Sequence, residues 1–330
     1  MQIGAVCLVV TACGTAPTSP TTSGSGGTSV LPLALTCPAA LSTTSAATSL
    51  VVSFGPPATT GGTLPVTSSC TPASGSTFSR GTTTVTCRAT DNAGQAATCT
   101  FVVTVLGVPL LTGTRFMAFG DSFTAGEVLD ALSARVVSEA KSYPTQLRSL
   151  LLTRYVSQDI VVRNDGEPGE VLMSDLGYRS EETRLRYTRA LTLEHPDAVL
   201  LLEGVNDLSS DGITTDQIAG VLGQMVQEAY AANVKVVYLA TEPPQIPGRL
   251  RSAHASRVPD LNAKIRVVAT QQHATLVDLY PAMIGNVNNL INSDDGLHPY
   301  PAGYAVIAET FFTAIKSNFE QVASSSLTHR

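Results

Sequence analysis

The chain has 330 residues, 43% of them apolar, enough for two ordinary domains with their own cores, so disorder along the whole length is excluded. Its formal net charge is -6, from 20 Lys and Arg against 26 Asp and Glu, with no basic block, which argues against nucleic acid as a partner. Composition changes sharply along the chain. From 14 to 112 it is mostly Thr, Ser, Gly, Pro, Ala and Val, with only three charged residues, Arg80, Arg88 and Asp91; from 113 onward charges, Leu and Tyr become common. That shift predicts a domain boundary near Gly107 to Gly113.

The opening MQIGAVCLVVTAC carries an apolar run from Ile3 to Val10, too short to span a bilayer. Val10, Thr11, Ala12 and Cys13 give an apolar residue, two small residues and a cysteine, a pattern that resembles the end of a bacterial lipoprotein signal. The resemblance implies a signal peptide over 1–12, export, and lipid attachment at Cys13, although the basic n-region of a secretory signal is absent. A lipid anchor would then be the chain's membrane contact. The Thr/Ser/Gly/Pro stretch that completes 13–29 reads as a flexible tether.

Residues 30–107 show short β-prone runs, SLVVSF, TLPVTSSC, TTTVTCRAT and ATCTFVVTV, separated by the turn signals GPP, GG and NAG. Runs at this spacing predict a small antiparallel sandwich. Its four cysteines, Cys37, Cys70, Cys87 and Cys99, predict two disulfides and an oxidising compartment, with three pairings open. The order TCP, PVTSSCTPASGSTF, GTTTVTCRATDNAG and ATCTFVVTV resembles the hyalin repeat (HYR) module, an immunoglobulin-like extracellular domain. That resemblance implies adhesion or spacing, with glycan or cell-envelope contact as its role, and Asp91 as a turn residue.

Residues 113–320 alternate. RFMAF (115–119), DIVVR (159–163), AVLLLEG (198–204), VKVVYLA (234–240) and TLVDLY (275–280) read as buried strands. Helices are predicted at PTQLRSLLLTRY, at TTDQIAGVLGQMVQEAYAA with its stripe of Ile218, Val221, Leu222, Met225, Val226 and Ala229, and at PAGYAVIAETFFTAIKSNF with Tyr304, Ala308, Phe311, Ile315 and Phe319. The pattern predicts an α/β fold, a doubly wound parallel five-stranded sheet preceded by the smaller all-β sandwich.

In such sheets active groups gather beyond the carboxyl ends of the strands. There stand GDSFTAG with Ser122, NDGEPGE with Gly169, GVNDL with Asn206, and DDGLHP with Asp295 and His298. Alone, each is an ordinary cap or turn. Together and in this order they resemble the four signature blocks of the SGNH (GDSL) hydrolases, flavodoxin-like esterases and lipases, over about 210 residues.

The chemistry explains the residue types. A serine hydroxyl needs a base, and His298 is the candidate; Asp295 would orient and charge-stabilise the imidazole. The resemblance assigns the oxyanion to the backbone N–H of Ser122, the backbone N–H of Gly169 and the side-chain amide of Asn206. Pro168 departs from the family's usual small residue before Gly169, which leaves Gly166 as a second possible donor, and Asp294 adjoins Asp295. His195, His254, His273 and His329 read as structural or surface groups.

With no G-x-S-x-G, H-E-x-x-H, paired Cys-x-x-Cys or phosphate fingerprint, the reading calls for no cofactor and no metal. The expected protein is an exported serine esterase acting on a small-molecule or polysaccharide-borne ester. The rival readings are a catalytically silent binding protein and an acyltransferase using the same triad.

Overall fold

The computed structural model describes residues 31–130, 134–173 and 178–321, with side chains from 181 in the last stretch. Cys7, Cys13, the expected signal and the whole of the expected tether lie outside the described residues. Grouped by backbone proximity the described residues form two compact units, one of 31–40, 52–76 and 84–102, the other of 41–51, 77–83 and 103–321.

The strand-rich segment up to 107 holds a four-stranded sheet in the order Leu41–Ser45, Ala96–Gly107, Gly81–Thr90 and Thr67–Thr71. Ser49–Val52 pairs with Ser76–Ser79, and Ala34–Thr36 with Ala58–Thr60. Along Gly81–Thr90 the residues Val85, Cys87 and Ala89 are buried while their neighbours face out, the period of two expected of a strand with one dry face. Thr67–Thr71 runs antiparallel to Gly81–Thr90, as expected, but Leu41–Ser45 runs parallel to Ala96–Gly107. A parallel pair needs a long crossover, and the strands between them supply it. The disulfides are Cys37–Cys99 and Cys70–Cys87, the second joining directly opposed residues of an antiparallel pair. Sγ atoms of Cys37, Cys87 and Cys99 lie within 4.8 Å of one another, but with every one of them in a disulfide none is a thiolate ligand.

The α/β part has the five strands β1 Arg115–Gly120, β2 Val161–Gly166, β3 Ala198–Leu202, β4 Val236–Ala240 and β5 Thr275–Val277. They are all parallel, in the order β2-β1-β3-β4-β5. Its helices are α1 Ser122–Ala125, α2 Tyr143–Arg154, α3 Tyr178–Glu194, α4 Thr215–Ala231, α5 Val258–Gln271, α6 Leu279–Ile284, α7 Val287–Leu290 and α8 Pro301–Phe319. Strand order reverses at β1, and right-handed crossovers then send α2 to one face and α3, α4 and α5 to the other. β3 is buried along its whole length and β1 from Phe116 to Gly120. That continuity is the mark of a sheet covered on both faces. Tyr143 of α2 stacks on Phe311 of α8 with ring centroids 5.1 Å apart, and Phe119 of β1 meets Tyr187 of α3 at 4.8 Å.

Two strand limits differ from the sequence reading for a physical reason. β2 starts later and runs through the polar Asn164–Gly166, because β1 continues to Gly120 and pairs Ala118, Phe119 and Gly120 with those residues. β5 stops at Val277, where Asp278, held by the Arg266 guanidinium and the Thr241 hydroxyl, turns the chain into α6. α3 was not anticipated: it buries Thr183, Tyr187 and Leu191, one residue per turn among charges. α5 was not anticipated either, although Val258, Leu261, Ile265 and Ala269 form a helical stripe. Among the described residues no helix is long and apolar enough to cross a membrane.

Candidate active site

Ser122 follows β1 directly and opens the one-turn α1. Asp121 caps that turn, its Oδ1 accepting the Phe123 N–H at 2.9 Å. The turn sits against the sheet only because two neighbours lack side chains: a Cβ on Gly120 would lie 1.9 Å from the Leu202 carbonyl oxygen, and one on Gly166 2.0 Å from the Ala125 nitrogen. Ser122 is thus fixed at the switch point between β1 and β3, 3% exposed.

The partners come from the loop between α7 and α8. Ile291 and Pro299 form an isolated antiparallel bridge, and the Asn292 N–H donates to the His298 carbonyl at 2.9 Å, so the loop closes on itself. Asp295 Oδ1 accepts the N–H groups of Leu297 (2.8 Å) and His298 (3.0 Å), while Oδ2 lies 2.6 Å from His298 Nδ1. His298 Nε2 lies 3.0 Å from Ser122 Oγ. Gly296 has φ +76, and a Cβ there would lie 2.7 Å from the Ile246 carbonyl oxygen, so the loop needs glycine at that point. Burial pushes the Asp295 carboxyl up, but the His298 ring and the loop amides outweigh it and hold the group below its ordinary range. Asp294 is exposed and does not face the ring.

Of the expected oxyanion donors, the N–H groups of Ser122 and Gly169 meet no acceptor among the described residues. The Gly166 N–H is taken by Asn164 Oδ1 at 3.1 Å, which removes it as the alternative donor. Asn206 stands in the 3₁₀ turn after β3 and gives one amide hydrogen to the Glu170 carbonyl at 2.8 Å; the other has no acceptor among the described residues. His195 and His273 occupy left-handed positions (φ 45 and 56) at helix ends, far from this chemistry in role; His329 lies outside the described residues.

Several residues were not anticipated. Asp207, read as part of a turn, is 1% exposed and accepts the N–H groups of Leu172 (3.0 Å) and Met173 (2.7 Å), tying the segment after Gly169 to β3. Burial outweighs those bonds and raises its carboxyl to about 6. Arg186 of α3 lies over the Phe119 ring at 3.9 Å, donates to the Asp165 carbonyl at 2.8 Å and grips both oxygens of Glu170, so it anchors the Gly169 turn from below. Next to Ser122 in the chain, Asp121 is buried within electrostatic reach of two further buried acids, Glu203 and Glu242. Burial first, then the neighbouring acids, raises Asp121 to about 8 and the other two well above the carboxylate range. Asp121, Asp207 and Glu203 stand beside motif residues, yet nothing in the sequence says that they are buried.

Ser122, His298 and Asp295 thus stand in contact at the switch point of a parallel sheet in the order 2-1-3-4-5, the flavodoxin-like topology. The GDSL-like lipase/acylhydrolase family matches residues 118–306, and the chain belongs to that family of carboxylic ester hydrolases. The HYR domain matches residues 31–105. Among solved structures the chain is similar to the lipase/acylhydrolase from Enterococcus faecalis, with 26% identity, TM-score 0.52, and 62% of this chain and 97% of that one covered. It shares its fold with a mutant of an acetyl-xylooligosaccharide esterase from Geobacillus (22%, TM-score 0.50) and with an α/β hydrolase from the metagenome of Lake Arreo, Spain (22%, TM-score 0.50), each covering 62% of this chain and 96% of the other. A search of curated proteins gives no match.

Proposed function

We propose that the protein is an exported serine esterase in which Ser122 is the nucleophile, His298 the general base and Asp295 the acid that orients it. The observation that carries this reading is the run of contacts Asp295 Oδ2 to His298 Nδ1 at 2.6 Å and His298 Nε2 to Ser122 Oγ at 3.0 Å, all three side chains buried. In the first step Ser122 Oγ attacks the ester carbonyl and its proton passes to Nε2. The imidazolium then gives that proton to the departing alcohol, leaving an acyl-serine that water hydrolyses by the same route. The free N–H groups of Ser122 and Gly169 and the second hydrogen of the Asn206 amide are suited to hold the oxyanion, each such donor being worth about 3 kcal/mol.

A cavity of about 440 Å³ is walled by Asn206, by Leu297 next to His298 in the chain, and by Ser209, Gln245, Arg251 and His254. Its lining is mixed rather than a long apolar channel, and Gln245 Oε1 is a buried acceptor with no partner among the described residues. Both features favour a short acyl group on a hydroxyl-bearing alcohol, in a small molecule or a polysaccharide. Export is supported by the two disulfides and the HYR domain; lipid attachment at Cys13 completes the proposal.

The test is hydrolysis of p-nitrophenyl esters from acetate to palmitate by the full chain and by its Ser122→Ala variant. Turnover that falls with acyl length, and a loss on the order of 10⁴-fold in the variant, are expected. Unchanged turnover in Ser122→Ala would sink the reading.

A further inference from the structure

His298 has one more close neighbour with no role in that scheme. Glu127 Oε1 lies 3.6 Å from Nε2, the nitrogen that faces Ser122. Glu127 is 3% exposed, and this oxygen has no hydrogen-bond partner among the described residues. Arg135 Nη1 stands 2.9 Å from the same oxygen, near enough for an ion pair but out of line for a hydrogen bond.

Local structure holds the acid there. Gly126 ends α1, and the next residues, Glu127–Leu129, pair antiparallel with Arg135–Val137. Glu127 opposes Val137 and Leu129 opposes Arg135, so Glu127 and Arg135 are diagonal neighbours on one face of the hairpin. From the other side the Tyr304 hydroxyl of α8 donates to the Glu127 carbonyl at 2.6 Å. An acid serving only a surface ion pair needs no such burial, since its partner Arg135 is itself 44% exposed.

We propose that Glu127 is a second acidic partner of His298, a positioning residue that stabilises the imidazolium from the Nε2 side while Asp295 does so from Nδ1. The inference rests on the triad reading above. When the Ser122 proton reaches Nε2 the ring becomes a cation between two carboxylates, in a site with little water to screen them. Glu127 takes no proton itself; the proton on Nε2 goes to the leaving alcohol. Because both acids act on one charge, each partly covers the loss of the other.

The experiment measures kcat, KM and thermal midpoint on p-nitrophenyl acetate for the full chain and for Glu127→Gln, Glu127→Asp, Asp295→Ala and the Asp295→Ala/Glu127→Gln double variant. Glu127→Gln is expected to lower kcat on the order of tenfold with KM within about twofold, and Glu127→Asp to fall between it and the unaltered protein. The double variant should lose more than the product of the single losses. A Glu127→Gln variant with unaltered kcat, or losses that merely multiply, overturns the inference and leaves the triad reading standing. If Glu127→Gln does not fold, Glu127→Asp decides: unaltered kcat there overturns the inference too. Full turnover in Ser122→Ala overturns the triad reading itself.

Discussion

Asp91, in the strand-rich segment, accepts the backbone N–H groups of Thr63, Gln95 and Ala93 and the side-chain amide of Gln95, and these bonds hold its carboxyl below the ordinary range. Glu242, at the end of β4 in the α/β unit, is fully buried with no hydrogen-bond partner at either oxygen among the described residues, and burial holds it far above that range. Both acids are out of solvent. They differ in depth, in neighbouring charge and in donors: Glu242 is desolvated more deeply and faces Asp121 and Asp207, while Asp91 has four donors, and the three differences act in the same direction. The two regions also differ in what can offset an unmet polar group. The strand-rich segment buries few large apolar side chains, among them Phe78, Val85, Phe101 and Val103, and carries two disulfides, whereas the α/β unit has a continuous core from Phe116 to Phe319.

The contrast between the two regions breaks most readily where core packing is removed. Phe311→Ala, which unstacks Tyr143 from α8, should cost the α/β unit about 3–5 kcal/mol in denaturant unfolding; a loss below about 1 kcal/mol would deny that the continuous core carries this unit. Replacing Cys37 and Cys99 together by Ala should cost the strand-rich segment about 2–5 kcal/mol, read as its own calorimetric transition, and an unmoved transition would mean that its small core suffices alone.

Arg186→Ala tests whether the Gly169 turn depends on its anchor: kcat should drop roughly tenfold, about 1.4 kcal/mol, with the fold intact by circular dichroism. Retained kcat would show that Asp207 and β2 suffice to hold the turn.

The smallest effect sharpens the contrast in sign. Asp121 is raised from 3.8 to about 8, so the stability it contributes is complete below pH 3.8 and lost as pH rises through about 8. Asp91 is lowered, so its contribution is complete above pH 3.8 and lost in acid. Thermal midpoints followed across pH should therefore decline between pH 3.8 and about 8 for the α/β unit and below pH 3.8 for the strand-rich segment. Asp121→Asn, which keeps the capping oxygen, should flatten the decline between pH 3.8 and about 8; an equally steep decline would remove Asp121 as its source.

Much of the site was legible because its residues follow strands. The continuous apolar runs of β1 and β3 mark strands buried on both faces, and the first polar residues after them are the ones a doubly wound sheet exposes at its carboxyl edge. The sequence pointed to Ser122 and Asn206 in that way and to Asp295 and His298 through the resemblance of DGLHP to a family block, since they lie in the loop between two helices; Asp295 rather than Asp294 lies against the ring. Arg186 and Glu127 were not found. Arg186 lies on a helix whose apolar stripe is a single residue wide, and Glu127 reads as an ordinary charged residue until a hairpin and α8 enclose it.

The sequence by itself determined the order of elements, the strand-rich segment ahead of the α/β part, and the residue types of the site, because hydrophobic period, turn residues and loop chemistry are local properties of a chain. Only the tertiary structure decided the disulfide pairing, the parallel course of Leu41–Ser45, the extension of β2 through Asn164–Gly166, and which buried acid, Glu242, has no donor at either oxygen among the described residues. Each of these depends on which distant segment comes to lie alongside, and burial and hydrogen-bond supply are fixed by that neighbour rather than by the residue's own sequence context.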